Sequence, residues 1–479
     1  MTTVKKVVKN TAYRTAAQVI GNTSGILIAA ILARFLGPHQ FGIYSLTISI
    51  VLLLIAIANP GIIASSVRYI SYYDGKNDIT KLRSHYRYFI KIEFVLSILI
   101  STFLLVTSNY LAKIFHEPTL TNALVFGSLA VFFGAMVGIL NSLFMGLQEF
   151  KYVFLKQTSY EFFRWLLVIP LSTAFLATGA IAGVAGAYFL TFILLTYIIF
   201  TKFKNYLFGE TCRVSSRVNA FIGYMTLASI SAIVFSYIDI LMIGYLLNST
   251  YVGYYRAACT IVFAIIGFLS IFDVLLPAFS QLSGENLATA VNLVSKYTTL
   301  IAFPTAAILL YLSKEIVLVI YGQKYTPSTE VLEILSLLLI PSAFNYVGIV
   351  FMSQELAEYP AILASIAMFL NAILNYILIN VQGVVGAAVA TFISRCFVAI
   401  ASLYLLKRVF YISIDYNTIY KSVIGTSIML ACLFIMPTPK RLLTGLIETI
   451  VACTIYMIVM LAIRGITIDD INYIKKLFH

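Results

Sequence analysis

Three arginines stand inside or at the ends of long apolar segments, where a charged side chain is costly to keep. Arg34 closes the first segment, Arg256 lies near the start of the eighth, and Arg395 lies midway along the twelfth. A planar guanidinium group donates parallel hydrogen bonds to phosphate oxygens. Only Asp239 and Asp273 offer candidate cation sites. The charges therefore favour an anionic headgroup over a cationic ligand.

Each of these charges also has a structural interpretation. Asp239 and Arg256 lie at comparable depth in consecutive antiparallel segments, so an ion pair explains them as well as substrate binding does. Arg395 has no acid within one helical turn in the sequence, which leaves bonding to helix carbonyls or to a distant acid. Both interpretations stay open for all three residues.

Amide side chains add neutral polar groups to the same apolar segments. Gln18 and Asn22 fall on one face of the first segment, four residues apart, and Asn371 and Asn375 do the same in the eleventh. A polar stripe of this kind lines either a tight helix contact or a wet cavity. We expect these four amides to face a cavity and to bind sugar hydroxyls.

The composition places all of these residues in a membrane protein. The chain is 61% hydrophobic and 11% charged, with a mean hydropathy of +0.96, whereas soluble domains are about half apolar and a quarter charged. Its four histidines and five cysteines form no metal-binding or disulfide pattern. The formal charge of +13 lies in short loops, which indicates topology rather than nucleic-acid binding.

Apolar runs separated by charged or turn-rich breaks predict an all-α protein with fourteen membrane-spanning helices. These spans cover residues 14–35, 41–66, 88–109, 122–144, 160–179, 182–201, 219–246, 252–275, 296–313, 331–351, 360–380, 383–406, 421–436 and 442–463.

The distribution of Lys and Arg predicts the orientation of these spans. One side of the membrane carries 24 of these residues, Arg164 among them, and the other carries six, Arg34 among them. Because basic loops stay in the cytoplasm, both termini are predicted to be cytoplasmic. Arg34 then lies at the outer end of span 1.

Two pairs of similar stretches indicate an internal repeat. GVAGAYFLTFI at 183–193 matches GVVGAAVATFI at 383–393 in seven of eleven positions, and FLGPHQFGIY at 35–44 resembles YLLNSTYVGYY at 245–255. Each pair is six spans apart, so two six-helix bundles should be related by a pseudo-two-fold axis along the membrane normal. The predicted domains are bundles at 1–205 and 206–410, followed by two further spans and a cytoplasmic tail at 411–479.

Several motifs resemble one known family. ILARFLGPHQFGIYSL near the start, NPGI at 59–62, FMGLQEFKY at 144–152 and YIDILMIGYLLNSTYVGYYRAA at 237–258 are similar to the polysaccharide flippases of the multidrug/oligosaccharidyl-lipid/polysaccharide exporter superfamily. The resemblance implies two six-helix bundles plus two C-terminal helices. It implies transport of polyprenyl-(pyro)phosphate-linked oligosaccharide from the cytoplasmic to the outer leaflet of the plasma membrane by alternating access. It makes Arg34, Arg256, Arg395 and Asp239 candidates for contact with substrate.

The related peptidoglycan precursor flippases carry a charged cluster in their first span. The sole charge late in span 1 here is Arg34, which makes a peptidoglycan substrate less expected. The expected partners are the lipid-linked oligosaccharide, the bilayer, and a glycan polymerase or glycosyltransferase, without nucleic acid.

The sequence contains no nucleotide-binding, nucleophile-elbow or metalloprotease motif, so we expect a transporter rather than an enzyme. No cofactor or metal is expected, and an ion gradient, the membrane potential or the substrate gradient would supply the energy. Two alternatives stay open. A drug or cation antiporter of the same fold would use Asp239 or Asp273, and a non-transporting scaffold for glycan-synthesis enzymes would need no charged cavity.

Overall fold

The structure is a computed structural model that describes residues 3–212, 214, 234–269, 275, 279–436 and 442–465. Every regular element in this part of the chain is a helix. In chain order the first seven are α1 (Thr3–Ala58), α2 (Pro60–Gly75), α3 (Ile79–Ile114), α4 (Leu120–Gly146), α5 (Phe150–Lys202), α6 (Val234–Leu246) and α7 (Ser249–Leu269).

Nine more helices follow, four of them shorter than a membrane span. They are α8 (Gly284–Tyr311), α9 (Ser313–Ile320), α10 (Ser328–Ser336), α11 (Leu339–Ser342), α12 (Tyr346–Ser353), α13 (Glu358–Gln382), α14 (Val384–Phe410), α15 (Tyr416–Ile435) and α16 (Leu442–Ala462). The described chain forms two compact units, Met1–Arg256 and Ala257–His479. The division into bundles at residues 205 and 410 stays a prediction.

The helices agree with the predicted polytopic membrane fold. Eleven helical segments of the described chain are long and apolar enough to cross a bilayer. Helix α5 contains two of the predicted spans, 160–179 and 182–201. Helix α1 contains the predicted span 14–35 and the first part of the span 41–66, which continues beyond its end at Ala58 into α2. The shorter apolar helix α6 falls within the predicted seventh span, whose first part lies outside the described residues.

Helix α1 is broken at the predicted turn after Arg34. Gly37 has a positive φ of 73°, a conformation that glycine adopts without a steric cost, and Pro38 follows it and lacks the N–H of an unbroken helix. The two predicted spans of α1 therefore meet at Gly37.

The two similar stretches, 35–44 and 245–255, contact each other within the first unit. A Cβ on Gly42 would lie 1.6 Å from the carbonyl oxygen of Ser249, and a Cβ on Gly253 would lie 2.1 Å from that of Pro38. Only glycine permits this separation of the backbones. The second half of α1 and the start of α7 are thus in direct contact at their matching glycines.

One face of α3 supplies part of the first unit's core. The residues at helical spacing on this face are fully or almost fully buried, and they are Leu82, Tyr86, Phe89, Glu93 and Ser97. Asp78 caps the helix by accepting a hydrogen bond from the backbone of Lys81 at 3.0 Å. That bond, together with the Lys81 ammonium, holds the pKa of Asp78 below its ordinary value.

The second unit has two apolar clusters. In the larger one, residues of α12 such as Val347 and Phe351 pack with Val291 of α8 and Leu406 of α14. The smaller joins α8 to α15 and α16, where the Tyr456 hydroxyl donates to the carbonyl oxygen of Leu300 at 3.1 Å. The two C-terminal helices are therefore packed on α8.

Two helical hairpins, one in each unit, have the same backbone geometry. In α5 the turn is at Leu176 (φ 53°, ψ −134°), and between α13 and α14 it is at Gly383 (φ 62°, ψ −141°). Three residues after each turn, a glycine meets the carbonyl oxygen of a leucine in the opposite limb. A Cβ added to Gly179 would lie 1.9 Å from the Leu171 oxygen, and one added to Gly386 would lie 2.1 Å from the Leu378 oxygen.

This geometry corrects the register of the repeat. The turns and glycine contacts of the two hairpins correspond when 207 residues are added, whereas the sequence match of 183–193 with 383–393 implies 200. The shift is seven residues, or about two helical turns, which leaves small residues on the same face in both alignments. The two hairpins correspond in backbone geometry, and the sequence match of 183–193 with 383–393 is displaced from this correspondence by about two helical turns.

Candidate functional site

A buried pair of opposite charges lies on α5. The side chains of Glu161 and Arg164 are 6% and 14% exposed, and Arg164 Nη1 is 3.3 Å from Glu161 Oε2. They are three residues apart, so one helical face presents both. A charged pair at this depth in an apolar helix is a candidate functional site.

The carboxylate of Glu161 has two further partners. Ser24 of α1 donates to Oε2 at 2.6 Å, and Gln157 donates to Oε1 at 2.9 Å. The indole N–H of Trp165 donates to the Ser24 oxygen at 2.8 Å. The α1 backbone can approach closely here, since a Cβ on Gly21 would lie 2.7 Å from Gln157 Nε2. These bonds fix α1 against α5.

Tyrosine rings surround the guanidinium of Arg164. Its carbon lies 5.8 Å from the centre of the Tyr160 ring, within the range of a cation–π contact. Tyr160 stacks on Tyr188 across the α5 hairpin, with ring centres 4.6 Å apart and planes at 30°. Tyr44, from the second half of α1, is close enough to interact electrostatically with both Arg164 and Arg256.

Two predicted residues, Asp239 and Arg256, lie in the same unit. The hydroxyl of Tyr255 donates to Asp239 Oδ2 at 2.8 Å, and both residues are buried. Arg256 is half-buried and interacts electrostatically with Tyr237 as well as with Tyr44. Tyr44 therefore lies within electrostatic range of both Arg164 and Arg256.

The group formed by Tyr44, Tyr160, Arg164, Tyr188 and Arg256 is called the arginine–tyrosine site below. Guanidinium groups bind phosphate oxygens in a fork geometry. Tyrosine hydroxyls donate and accept hydrogen bonds, and their rings offer apolar faces of the size of a sugar. The site therefore combines the chemistry needed for an anion joined to a polar ring.

The predicted polar residues of span 1 are exposed. Gln18 and Asn22 have exposed side chains, so a tight helix contact is the wrong interpretation for them, and a role in a cavity stays a prediction. Within span 1, residues 14–35, the buried polar residue is Ser24. Arg34 is also exposed, three residues before the turn at Gly37.

The second unit contains the other predicted residues. Asn371 and Asn375 are fully buried on α13, and the Asn375 amide donates to Asn371 Oδ1 at 3.1 Å and to its backbone oxygen at 2.9 Å. They are shielded from solvent in this conformation. Arg395 is half-buried on α14, and Thr391 on the same face is buried. Asp273 lies outside the described residues.

Three functional candidates were missed from the sequence. Arg164 was counted among the cytoplasmic basic residues, although it lies inside α5. Glu161 precedes it by three residues, a spacing that itself indicates a helical pair. Glu93 on α3 is fully buried, and neither of its carboxylate oxygens has a hydrogen-bond partner in the described part of the chain.

Comparison with known proteins identifies the family. The model of a family described as polysaccharide biosynthesis protein matches residues 31–330, more than half of the chain. The probable low-salt glycan biosynthesis flippase Agl15 of Haloferax volcanii is 29% identical over 220 residues, which are 44% of this chain and 46% of that relative. The match thus spans less than half of Agl15. The uncharacterized membrane protein MJ1068 of Methanocaldococcus jannaschii is 19% identical over 504 aligned positions, covering 99% of this chain and 98% of that protein.

Solved structures identify the fold. A lipid II flippase MurJ in an inward closed conformation superposes with a TM-score of 0.78 at 15% identity, covering 94% of this chain and 98% of MurJ. An inward-facing multidrug resistance MATE transporter of the MOP superfamily gives 0.70 at 16% identity, covering 82% and 94%. This chain is therefore a multi-pass membrane protein of the polysaccharide biosynthesis protein family, with the fold seen in the MurJ and MATE structures.

Proposed function

We propose that this protein is a flippase for polyprenyl-(pyro)phosphate-linked oligosaccharide, which it moves from the cytoplasmic to the outer leaflet by alternating access. The product would serve the synthesis of a cell-surface polysaccharide or glycan. It acts as a transporter and not as an enzyme, so it breaks no covalent bond of the lipid.

The arginine–tyrosine site is the observation that carries this proposal. Its arginines can bind phosphate, and its tyrosines can bind the adjoining sugar. The buried acids near it already have partners: Asp239 accepts from Tyr255, and Glu161 accepts from Ser24 and Gln157. This unit is therefore better suited to binding a phosphate than to binding a cationic drug.

The comparisons support the same substrate class. Membership of a polysaccharide biosynthesis family ties the chain to glycan synthesis, and the relative Agl15 is named as a glycan biosynthesis flippase. In glycan synthesis, a membrane transporter is needed where a lipid-linked sugar must cross the bilayer. These facts favour transport of the lipid-linked glycan over the alternative of a passive scaffold.

The predicted residues take the following roles in this proposal. Arg395 attracts the phosphate, while Arg34 and Arg256 draw the anion toward the outer side. Gln18 and Asn22 bind sugar hydroxyls, and Asn371 and Asn375 do so in a conformation that exposes them. Asp239 either holds Arg256 or binds a coupling ion.

The setting of the protein follows from the function. It works in the plasma membrane with both termini in the cytoplasm, beside the glycosyltransferases or polymerase that make and use its substrate. It needs no bound cofactor, and an ion gradient, the membrane potential or the substrate gradient supplies the energy.

Reconstitution tests the function directly. Proteoliposomes would contain a polyprenyl-diphosphate-linked oligosaccharide, and a membrane-impermeant glycosidase would report how fast it reaches the outer leaflet. The wild-type protein is expected to accelerate this step. Arg395→Ala is expected to lower the rate at least tenfold with normal membrane insertion. Arg408→Ala, an exposed arginine at the end of the same helix, serves as the matched control.

Two results would contradict these proposals. A wild-type protein that leaves the glycan distribution unchanged in active proteoliposomes would remove the flippase assignment. A well-inserted Arg395→Ala variant with the wild-type rate would remove the role of Arg395 alone.

A drug or cation antiporter is the second candidate, because the fold is also that of a MATE transporter. It predicts drug resistance in cells that express the protein, and loss of that resistance in Asp239→Asn. Increased resistance without any effect on lipid-linked glycan would favour this candidate.

A further inference from the structure

We propose that Arg164 binds the phosphate of the lipid-linked headgroup and that Glu161 is its exchangeable counter-ion, a role that rests on the flippase function proposed above. Neither residue was among those predicted from the sequence. Glu161 and Arg164 differ in how fully their hydrogen-bonding groups are satisfied.

Glu161 would remain hydrogen-bonded without Arg164. One of its oxygens accepts from Ser24 at 2.6 Å and the other from Gln157 at 2.9 Å. The first distance is short and the second is ordinary for hydrogen bonds of these types. The carboxylate is therefore held in place by neutral donors on α1 and α5.

Arg164 is satisfied less well. Its contact with Glu161 uses one nitrogen at 3.3 Å rather than the two-pronged geometry of a strong arginine–carboxylate pair. Its Nε is buried and has no hydrogen-bond partner in the part of the chain that the structure describes. A buried donor without an acceptor is costly and calls for an explanation. A phosphate oxygen that arrives during transport would supply the missing acceptor.

The surroundings of Arg164 fit a phosphate joined to a sugar. The Tyr160 ring lies beneath the guanidinium and extends through its stack with Tyr188. The remaining guanidinium donors are held beside an aromatic surface of sugar size. This is the arrangement expected for the link between a phosphate and the first sugar.

Glu161 then has a function of its own. A transporter must bind its substrate tightly enough to capture it and weakly enough to release it. A nearby carboxylate keeps Arg164 neutralised while the site is empty and opposes the phosphate while it is full. Glu161 is thus a positioning residue that promotes release.

The chain contains a built-in reporter of this site. Trp165 is its only tryptophan, and the indole N–H is bonded to the Ser24 oxygen that donates to Glu161. Displacement of Arg164 from Glu161 should change the surroundings of the indole. Tryptophan fluorescence therefore measures binding without any transport assay.

The test titrates the purified full-length protein with farnesyl diphosphate, with farnesol as the probe that lacks phosphate. Wild type is expected to give a saturable fluorescence change with the diphosphate and none with the alcohol. Arg164→Lys keeps the positive charge but lacks the two-pronged geometry of the guanidinium group. Its apparent Kd for farnesyl diphosphate should rise at least tenfold. Arg87→Gln removes an exposed arginine of α3 and should bind as wild type does.

Glu161→Gln keeps the size and shape of the side chain and removes the charge, and it replaces one of the two acceptor oxygens by an amide donor. Its apparent Kd should fall severalfold, and in the flipping assay its KM and kcat should both fall because release is slower. A merely structural Glu161 would instead give weaker binding. Thermal unfolding of each variant shows whether it is folded, and the double variant Arg164→Gln/Glu161→Gln removes both charges together, so that no lone charge is left buried.

The outcomes separate the two proposals. No saturable change with farnesyl diphosphate, or unchanged affinity in folded Arg164→Lys, would overturn the role of Arg164 even if the wild type flips glycan. Weaker binding by Glu161→Gln would overturn the counter-ion role. Absence of flipping by the wild type, with phosphate-dependent binding at Arg164, would overturn the flippase function and leave a phosphate site.

Discussion

The α5 hairpin of the first unit and the α13–α14 hairpin of the second have one backbone and two different polar interiors. In the register set by their turns, Arg164 corresponds to Asn371, and Tyr188 corresponds to Arg395. The arginine is on the first limb of one hairpin and on the second limb of the other. The two hairpins therefore carry their arginines at non-equivalent positions of the same backbone arrangement.

The comparison distinguishes the residues that set the shape of the hairpins from the polar residues that differ between them. The features shared by both hairpins are the left-handed turn residue and the glycine three residues later. The features that differ are the ones that can bind substrate. The first limb carries the charged pair Glu161 and Arg164 in the first unit and the neutral amide pair Asn371 and Asn375 in the second, and the two pairs share only the position of Arg164 and Asn371. The two hairpins therefore share the backbone features that set their shape and differ in the polar side chains that they carry.

The largest expected effect comes from the shared glycines. Gly179→Ala and Gly386→Ala each place a methyl group against a backbone carbonyl, which cannot move aside as a side chain can. Overpacking of this kind costs about 1–3 kcal/mol, and sometimes more. Both variants should unfold at clearly lower temperature in detergent. Gly75→Ala, where nothing lies within 4 Å of the added Cβ, is the control.

These variants also test the register. If the hairpins correspond as their turns indicate, the losses for Gly179→Ala and Gly386→Ala should be similar. The sequence register instead pairs Gly183 with Gly383. No atom lies within 4 Å of a Cβ added to Gly383, so Gly383→Ala would lose stability only through the strain of a positive φ. A clash-sized loss at Gly383 and none at Gly386 would contradict the structural register.

A smaller effect is expected at the amide pair of the second unit. Asn375→Val introduces the residue found at the corresponding position of the first unit, Val168, which is fully buried there. It removes the donor to Asn371 Oδ1 and so leaves that oxygen without its amide partner. A lost buried partner costs about 1–3 kcal/mol. Thermal unfolding should show this loss, and no loss would mean that the pair contributes nothing to stability.

The sequence predicted the fold well because its signals are local. Length and hydropathy of each apolar run identify a span, and Gly37 with Pro38 identifies a break, without knowledge of any neighbour. The register of the repeat was wrong because small residues recur about every helical turn or two in closely packed helices. An alignment displaced by two turns then matches nearly as many letters.

The candidate site was harder to predict because it depends on contacts between distant segments. Ser24 is one polar residue among several in span 1, and only its contact with Glu161, 137 residues away, distinguishes it. Arg164 follows a basic segment, so a count of loop charges assigned it to the cytoplasmic side. Its burial against Tyr160 becomes visible only when α5 is seen to be continuous from Phe150.

The smallest effect is expected at the turn residue of the hairpins, which has the same positive φ in both units but is a different residue type in each. The turn of the α5 hairpin holds Leu176 at a φ of 53°, where the corresponding residue of the second unit is Gly383. A left-handed conformation costs a residue with a Cβ about 1–2 kcal/mol, while glycine adds flexibility to the unfolded chain. Since Leu176 is 45% exposed, Leu176→Gly loses little packing and should raise the unfolding temperature slightly. A clear fall in the unfolding temperature would mean that the leucine side chain stabilises the hairpin. The turn at Leu176 would then depend on side-chain packing, and the turn at Gly383 on the conformational freedom of glycine.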